Sequence, residues 1–96
     1  MPIIHPGSVV VASKDQVASD LAGETVLLSM KTARYYGLAN VGARIWSLVQ
    51  EPVTVKSICQ TIAREYDVTA DRCESDVLTF LEKMAEQGLV EVRSGA

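Results

Sequence analysis

A chain of 96 residues, 48% hydrophobic and 22% charged, has the size and composition of one soluble globular domain. No apolar run approaches the roughly 20 residues that span a bilayer, and the start Met1-Pro2-Ile3-Ile4-His5-Pro6 lacks the basic region and apolar block of a signal peptide; a cytoplasmic protein is expected. The formal charge is −3, and the nine Lys and Arg are scattered singly among twelve Asp and Glu. That leaves no basic patch of the kind phosphate binding draws on, so neither nucleic acid nor membrane is the expected partner.

The first third reads as β-rich. Residues 8–13, Ser-Val-Val-Val-Ala-Ser, are short and β-branched and predict a strand. Residues 15–23 are ambiguous: Val17 and Leu21 stand four apart, as on a helix, and Ala22-Gly23-Glu24 reads as a turn. Residues 25–30 predict another strand, Lys31-Thr32 a turn, and residues 33–38 the hairpin partner. Alternation puts Arg34, Tyr36 and Leu38 on one face of that partner and Ala33, Tyr35 and Gly37 on the other, so each face carries a tyrosine.

Three helices are expected next. Asn40 is placed as the N-cap of the first, with Val41, Ile45, Leu48 and Val49 repeating along one face; Pro52 cannot continue it. Thr54 caps the second, whose stripe is Val55, Ile58, Cys59, Ile62 and Tyr66. The third starts after Thr69 and runs to Gln87, about 27 Å. Gly88 is its left-handed terminator, with Leu89 folding back on Met84, and residues 89–92 form a last short strand. Strands followed by helices predict an α+β domain with a helix-turn-helix core. The whole chain, residues 1–96, reads as a single domain, ordered over about residues 8–92.

No catalytic constellation emerges. Cys59 and Cys73 form no C-x-x-C and fall on apolar helix faces, where reduced, buried thiols are expected. One His and two Cys make no zinc set, and no Gly-rich phosphate loop or nucleophile elbow is present. His5, near an end expected to fray, is a bystander. Neither enzymatic activity nor a metal or cofactor is expected.

Two features exceed a minimal core. On the third helix, Cys73, Val77, Phe80 and Met84 make one stripe, and Leu78, Leu81 and Ala85 widen it to roughly 160° of the circumference, against about 100° for a one-sided helix. Either that helix is covered on two sides or one flank lies open. The second feature is the strand over residues 33–38. If it ends its sheet, only Arg34 blunts its edge. A free edge beside an apolar helix face is the geometry of β-augmentation; a hairpin covered by the protein's own termini is the competing reading.

The stretch Tyr35-Tyr36-Gly37-Leu38-Ala39-Asn40-Val41-Gly42-Ala43-Arg44-Ile45-Trp46 resembles the Y-[YF]-G-L-x-x-V-G-x-x-[IV]-W segment of PqqD-like proteins. Val53-Thr54-Val55 with Ile58, then Tyr66-Asp67-Val68, Asp76-Val77, Leu81 and Gly88-Leu89-Val90, follow in that family's order and spacing. The resemblance covers nearly the whole chain. Within the family the sequence is most similar to the stand-alone leader-peptide-binding proteins of lasso-peptide biosynthesis, the RiPP recognition elements.

The resemblance implies a winged helix-turn-helix, with a three-stranded antiparallel sheet followed by three helices. It also implies a non-enzymatic role. The leader peptide of a ribosomally made lasso-peptide precursor would add as a strand along the third strand, in a groove walled by the third helix. It would then be presented to a separate, cysteine-type leader peptidase, with the cyclase as a further candidate partner. Carried onto this sequence, the peptide-binding residues would be Ala33, Arg34, Tyr35 and Tyr36 on the edge. The wall would draw on Cys73, Asp76, Val77, Phe80, Leu81 and Met84. Which tyrosine lines the groove stays open, and Asp76 meets either a leader cation or solvent. Trp46 is expected in the core, and Gly42 is expected to permit close approach of helix and strand. Two alternatives stand beside this reading. One is a PqqD-type precursor chaperone for a radical-SAM enzyme. The other is a DNA-binding winged helix, which Asp71, Glu82 and Glu86 on the third helix disfavour.

Overall fold

The structure, a computed structural model, describes residues 4–14, 16–21 and 24–93. In chain order the elements are β1 (Val9–Ala12), β2 (Gln16–Leu21), β3 (Glu24–Ser29) and β4 (Tyr35–Leu38), then α1 (Val41–Leu48) and β5 (Val53–Thr54). They are followed by α2 (Val55–Tyr66), α3 (Ala70–Glu86) and β6 (Val90–Arg93). The fold is α+β, with three helices following a three-stranded antiparallel sheet of order β2-β3-β4. A second three-stranded sheet, of order β5-β1-β6, was not anticipated.

The segment left ambiguous in the sequence is β2. Its pattern misled because only Gln16 is even partly covered, so no buried apolar face imposes an alternation of two. Residues 15, 22 and 23, with the expected turn at Ala22-Gly23, lie outside the described residues. Residues 4–8, near the end expected to fray, are tied down. Ile4 is in the core, Lys56 N–H donates to the Pro6 carbonyl at 2.9 Å, and Val55 N–H donates to the Ser8 carbonyl at 3.0 Å.

Local chemistry sets the helix limits. Thr54 Oγ1 accepts the Ser57 N–H at 3.1 Å, the expected cap of α2. Asn40 differs: it stands at the N-cap of α1 with φ 53 and makes no side-chain cap bond. Its carbonyl accepts the Arg44 N–H at 3.0 Å, so its contribution is a positive-φ backbone bend, of the kind Asn is used for in turns. At the end of α3, Leu89 N–H donates to the Met84 carbonyl (2.9 Å) and Gly88 N–H to the Ala85 carbonyl (3.1 Å), which is the Schellman pattern. Gly88 has φ +75, and a Cβ there would lie 2.9 Å from Lys31 Cβ; both conformation and space demand glycine.

The core lies between the sheets and the helices. Leu27, Ile58, Leu81, Leu89, Val10 and Val55 are fully buried within it. Trp46 joins them at 5% exposure, as expected. Outside the core, the Arg44 guanidinium grips both Glu65 carboxylate oxygens at 2.9 Å and ties α1 to α2. Among the described residues no helix is long and apolar enough to cross a membrane.

Candidate peptide-binding groove

β4 pairs with β3 on one side only, in the register Thr25 with Leu38, Val26 with Gly37, Leu27 with Tyr36 and Leu28 with Tyr35. Ser29 N–H donates to the Arg34 carbonyl at 3.0 Å. In an antiparallel ladder the bonding direction alternates, so Arg34, Tyr36 and Leu38 address β3. The amide groups of Tyr35 and Gly37 therefore turn to the unpaired side. Their carbonyls and N–H groups are what an incoming strand would meet.

The hairpin end sets where that edge lies relative to α3. Ser29 Oγ donates to the Gln87 carbonyl at 2.6 Å, and the Tyr36 hydroxyl donates to Gln87 Oε1. Thr32 Oγ1 stands 3.3 Å from the same hydroxyl. These bonds satisfy groups at the C-terminal end of α3 and hold the β4 edge alongside it.

Between edge and helix run two open cavities that share Gly37, Leu38 and Phe80. One, of about 380 Å³, is floored by Val41, Ile45, Ile62 and Val77, so α1, α2 and α3 all contribute to it. Asp76 is its single charged lining residue, and Tyr66 lines it as well. The other, of about 620 Å³, lies beside Tyr36, Met84 and Leu89, with Lys83 and Glu86 at its rim. Phe80, half-buried, is the common wall. The flank of α3 that the sequence left undecided is open at Phe80.

The expected site residues divide accordingly. Cys73, Asp76, Val77 and Phe80 line the first cavity, and Tyr35, Tyr36, Phe80 and Met84 the second. The pair of tyrosines is resolved by register. Tyr36 shares the inner face with the fully buried Leu27 and is half-buried, whereas Tyr35 is 74% exposed on the outer face. Three residues fall elsewhere. Leu81 is fully buried and lines neither cavity, because its side of α3 faces the core. Ala33 and Arg34 precede the strand: Ala33 has φ 57 and its N–H is spent on the Ser29 carbonyl at 2.8 Å. The edge begins at Tyr35.

Gly42 also differs from expectation. A Cβ there would meet Phe80 Cε1 at 3.5 Å and Leu38 Cδ2 at 3.7 Å, ordinary contact distances, so close approach does not require glycine. What the missing side chain leaves is space in the first cavity. Sequence reasoning missed Leu38, Val41, Ile45 and Ile62 as lining, since their periodicity marks them as core. Tyr66 and Val68, each 39% exposed, carried a readable signal: two large apolar residues flanking a left-handed Asp67.

Chemically the groove is apolar and offers hydrogen bonds from backbone. Burial pushes the Cys59 thiol up to about 11 and raises that of Cys73 as well. Both thiols are free, and Cys73 Sγ donates to the Cys59 carbonyl at 3.4 Å. Neither is in the thiolate form that nucleophilic attack needs. Among the described residues no three His, Cys, Asp or Glu side chains converge as a metal site. Asp76 is exposed, 3.7 Å from Arg72 in an open i,i+4 pair.

A family model described as coenzyme PQQ synthesis protein D (PqqD) matches residues 24–90. The chain belongs to the PqqD family. Among solved structures it is similar to TbiB1 in complex with the TbiA(beta) leader peptide, at 35% identity and a TM-score of 0.77 over 90% of this chain and 98% of that one. It shares its fold with a lasso peptide synthetase B1 complexed with its leader peptide, at 18% identity and a TM-score of 0.75, over 85% and 96% of the two chains. It also shares it with the PqqD truncation of Methylobacterium extorquens PqqCD, described as a stand-alone RiPP recognition element. There the identity is 22% and the TM-score 0.75, over 93% and 95% of the chains. No curated protein sequence matches the chain.

Proposed function

We propose that this protein binds the leader peptide of a ribosomally made lasso-peptide precursor as an added strand on β4, and presents it to a separate leader peptidase. The observation that carries the reading is the unpaired edge at Tyr35 and Gly37 lying across an apolar groove from Phe80. Main-chain bonds to the edge supply affinity, and alternate leader side chains enter the two cavities and supply selectivity. The relative at 35% identity was solved with a leader peptide, which supports the same use here. The protein contributes recognition, and the bond cleavage belongs to its partner. Free cysteines and the absence of basic patches agree with a cytoplasmic protein that has a peptide partner.

The test is titration of the labelled leader peptide against the wild type and Phe80→Ala. Removing a shared cavity wall should weaken binding about tenfold or more, since a hot-spot aromatic typically carries over 1.4 kcal/mol. Unchanged affinity in a folded variant refutes the groove. A second reading, a precursor chaperone for a radical-SAM enzyme, is favoured by the family match. Cleavage assays with the leader peptidase separate the two: under the first reading, adding this protein accelerates removal of the leader.

A further inference from the structure

Glycine weakens a helix, because it loses more backbone freedom on folding than any other residue. Position 42 is therefore an odd place for one. It is the second residue of α1, a helix of eight residues with no side-chain bond at its N-cap and no acidic residue in its first turn. A helix so short and so poorly started gains from every good helix former. Nothing in the fold calls for the glycine. Gly42 is not among the positive-φ residues, in contrast to Gly88 at φ 75. Space does not demand it either. A Cβ would stand 3.5 Å from Phe80 Cε1, 3.6 Å from Phe80 Cζ and 3.7 Å from Leu38 Cδ2, all ordinary contacts.

Those three distances show where a methyl group would go. Phe80 and Leu38 wall the first cavity from α3 and β4, and Gly42 lines it from α1. The methyl would stand in the cavity, against both walls. The cavity holds about 380 Å³, whereas an apolar hole of about 150 Å³ already admits a benzene ring. It therefore has room for a large side chain, and the bare Cα of Gly42 is part of the surface that side chain would touch. Most of the other lining is fixed by the fold. Ile45, Ile62 and Val77 are buried core residues as well as cavity floor, so a change of size there disturbs the core. Position 42 is the place where the cavity can be resized and the core left alone.

We propose that Gly42 is a specificity-determining residue of the groove. By carrying no side chain, it sizes the first cavity for one bulky apolar side chain of the leader, at a cost in the stability of α1. The proposal rests on the leader-binding reading and names the residue that sets its size limit. Added bulk at position 42 excludes by steric clash, which is how a peptide pocket rejects the wrong side chain.

The test is Gly42→Ala, compared with the wild type in two ways. In thermal melts the variant should equal the wild type or exceed it by up to about 8 °C, because alanine is the better helix former. In titrations with the leader peptide of the precursor, it should bind at least tenfold more weakly, the scale on which one methyl group counts in a close-fitting apolar pocket. The apolar residues of the leader are then cut to alanine one at a time, and each peptide is titrated against both proteins. At one position, that of the side chain filling the first cavity, the difference between the proteins should shrink below twofold. At the other positions it should persist. A lower melting temperature in the variant overturns the proposal, since the glycine would then serve the fold. So does a loss of affinity that no truncation of the leader removes, or an affinity for the intact leader within twofold of wild type. Failure of the wild type to bind the leader at all overturns the leader reading itself, and is seen before any variant is compared.

Discussion

The two three-stranded sheets are built on opposite plans. In the β5-β1-β6 sheet, strands from the beginning, middle and end of the chain meet, with β1 paired on both sides. Its ends are tied as well: Ala12 N–H donates to the Val49 carbonyl at 2.7 Å and Ser13 N–H to the Leu89 carbonyl at 2.9 Å. Val10 at its centre is fully buried. The β2-β3-β4 sheet is a local meander whose outer strands, β2 and β4, each pair on one side only and whose outer face is exposed. Closure over long sequence separations secures the fold, and incompleteness in a short-range hairpin supplies the binding surface. Stability and recognition are thereby assigned to different parts of a small domain.

Adjacent residues of α3 offer the sharpest way to break that division. Leu81 faces the core with no exposed surface, whereas Phe80 faces the groove. Leu81→Ala should cost about 2–5 kcal/mol of folding free energy. Leu81→Asp should prevent stable folding, because a carboxylate would be buried without a partner. Phe80→Ala should lose leader affinity at a much smaller cost in stability. Urea unfolding of all three, set beside leader titrations, checks the ordering. If Phe80→Ala proves as damaging to the fold as Leu81→Ala, the groove wall is core after all.

Tyr36 sits on the boundary and tests whether the two functions are separable there. Its ring lies on the inner face, and its hydroxyl bonds Gln87, beside Thr32. Tyr36→Phe removes the hydroxyl's bonds to Gln87 and Thr32, about 1–2 kcal/mol of stability in urea unfolding. Because the bond to Gln87 holds the hairpin to the end of α3, leader affinity should fall a few-fold in the same variant. A loss of affinity far larger than the loss of stability would mean that the hydroxyl contacts the peptide directly.

How much of this was legible in the sequence follows from which physical signal each element carries. Helices with a one-sided stripe, such as α2, and chemical stops such as Thr54 and Gly88 are read from spacing and residue type. The β5-β1-β6 sheet is not, because its pairing joins Val10 to Val53 and to Val92, and no local pattern reports contacts across such separations. Alternation separated Tyr35 from Tyr36, but it could not say which face was inner; that needed Leu27 opposite Tyr36. Leu81 was misplaced for a related reason. A wide apolar stripe marks every residue within it as coverable, and only the neighbouring elements decide which flank is covered.

The smallest effect concerns the floor of the groove. Arg44 and Glu65 bridge α1 and α2 next to Ile45 and Ile62, which line the first cavity. Hydrogen bonds from the Arg44 guanidinium hold the Glu65 carboxyl below its ordinary range. A group whose folded pKa is depressed contributes stability above its unfolded value, about 4.3 for a glutamate, and loses it as pH falls through the folded value. Arg44, raised by the same contact, loses its contribution only in strong alkali, outside any practical range. Acidification from pH 5 toward pH 3 should therefore lower the urea midpoint of the wild type slightly more than that of Glu65→Gln, which has no carboxyl to protonate. The difference is small because both side chains are 37% exposed and water screens the pair. Leader affinity at neutral pH should change less than twofold in Glu65→Gln, because the apolar packing of Ile45 and Ile62 sets the cavity floor. A larger change would show that the ion pair, and with it the spacing of α1 and α2, tunes the groove.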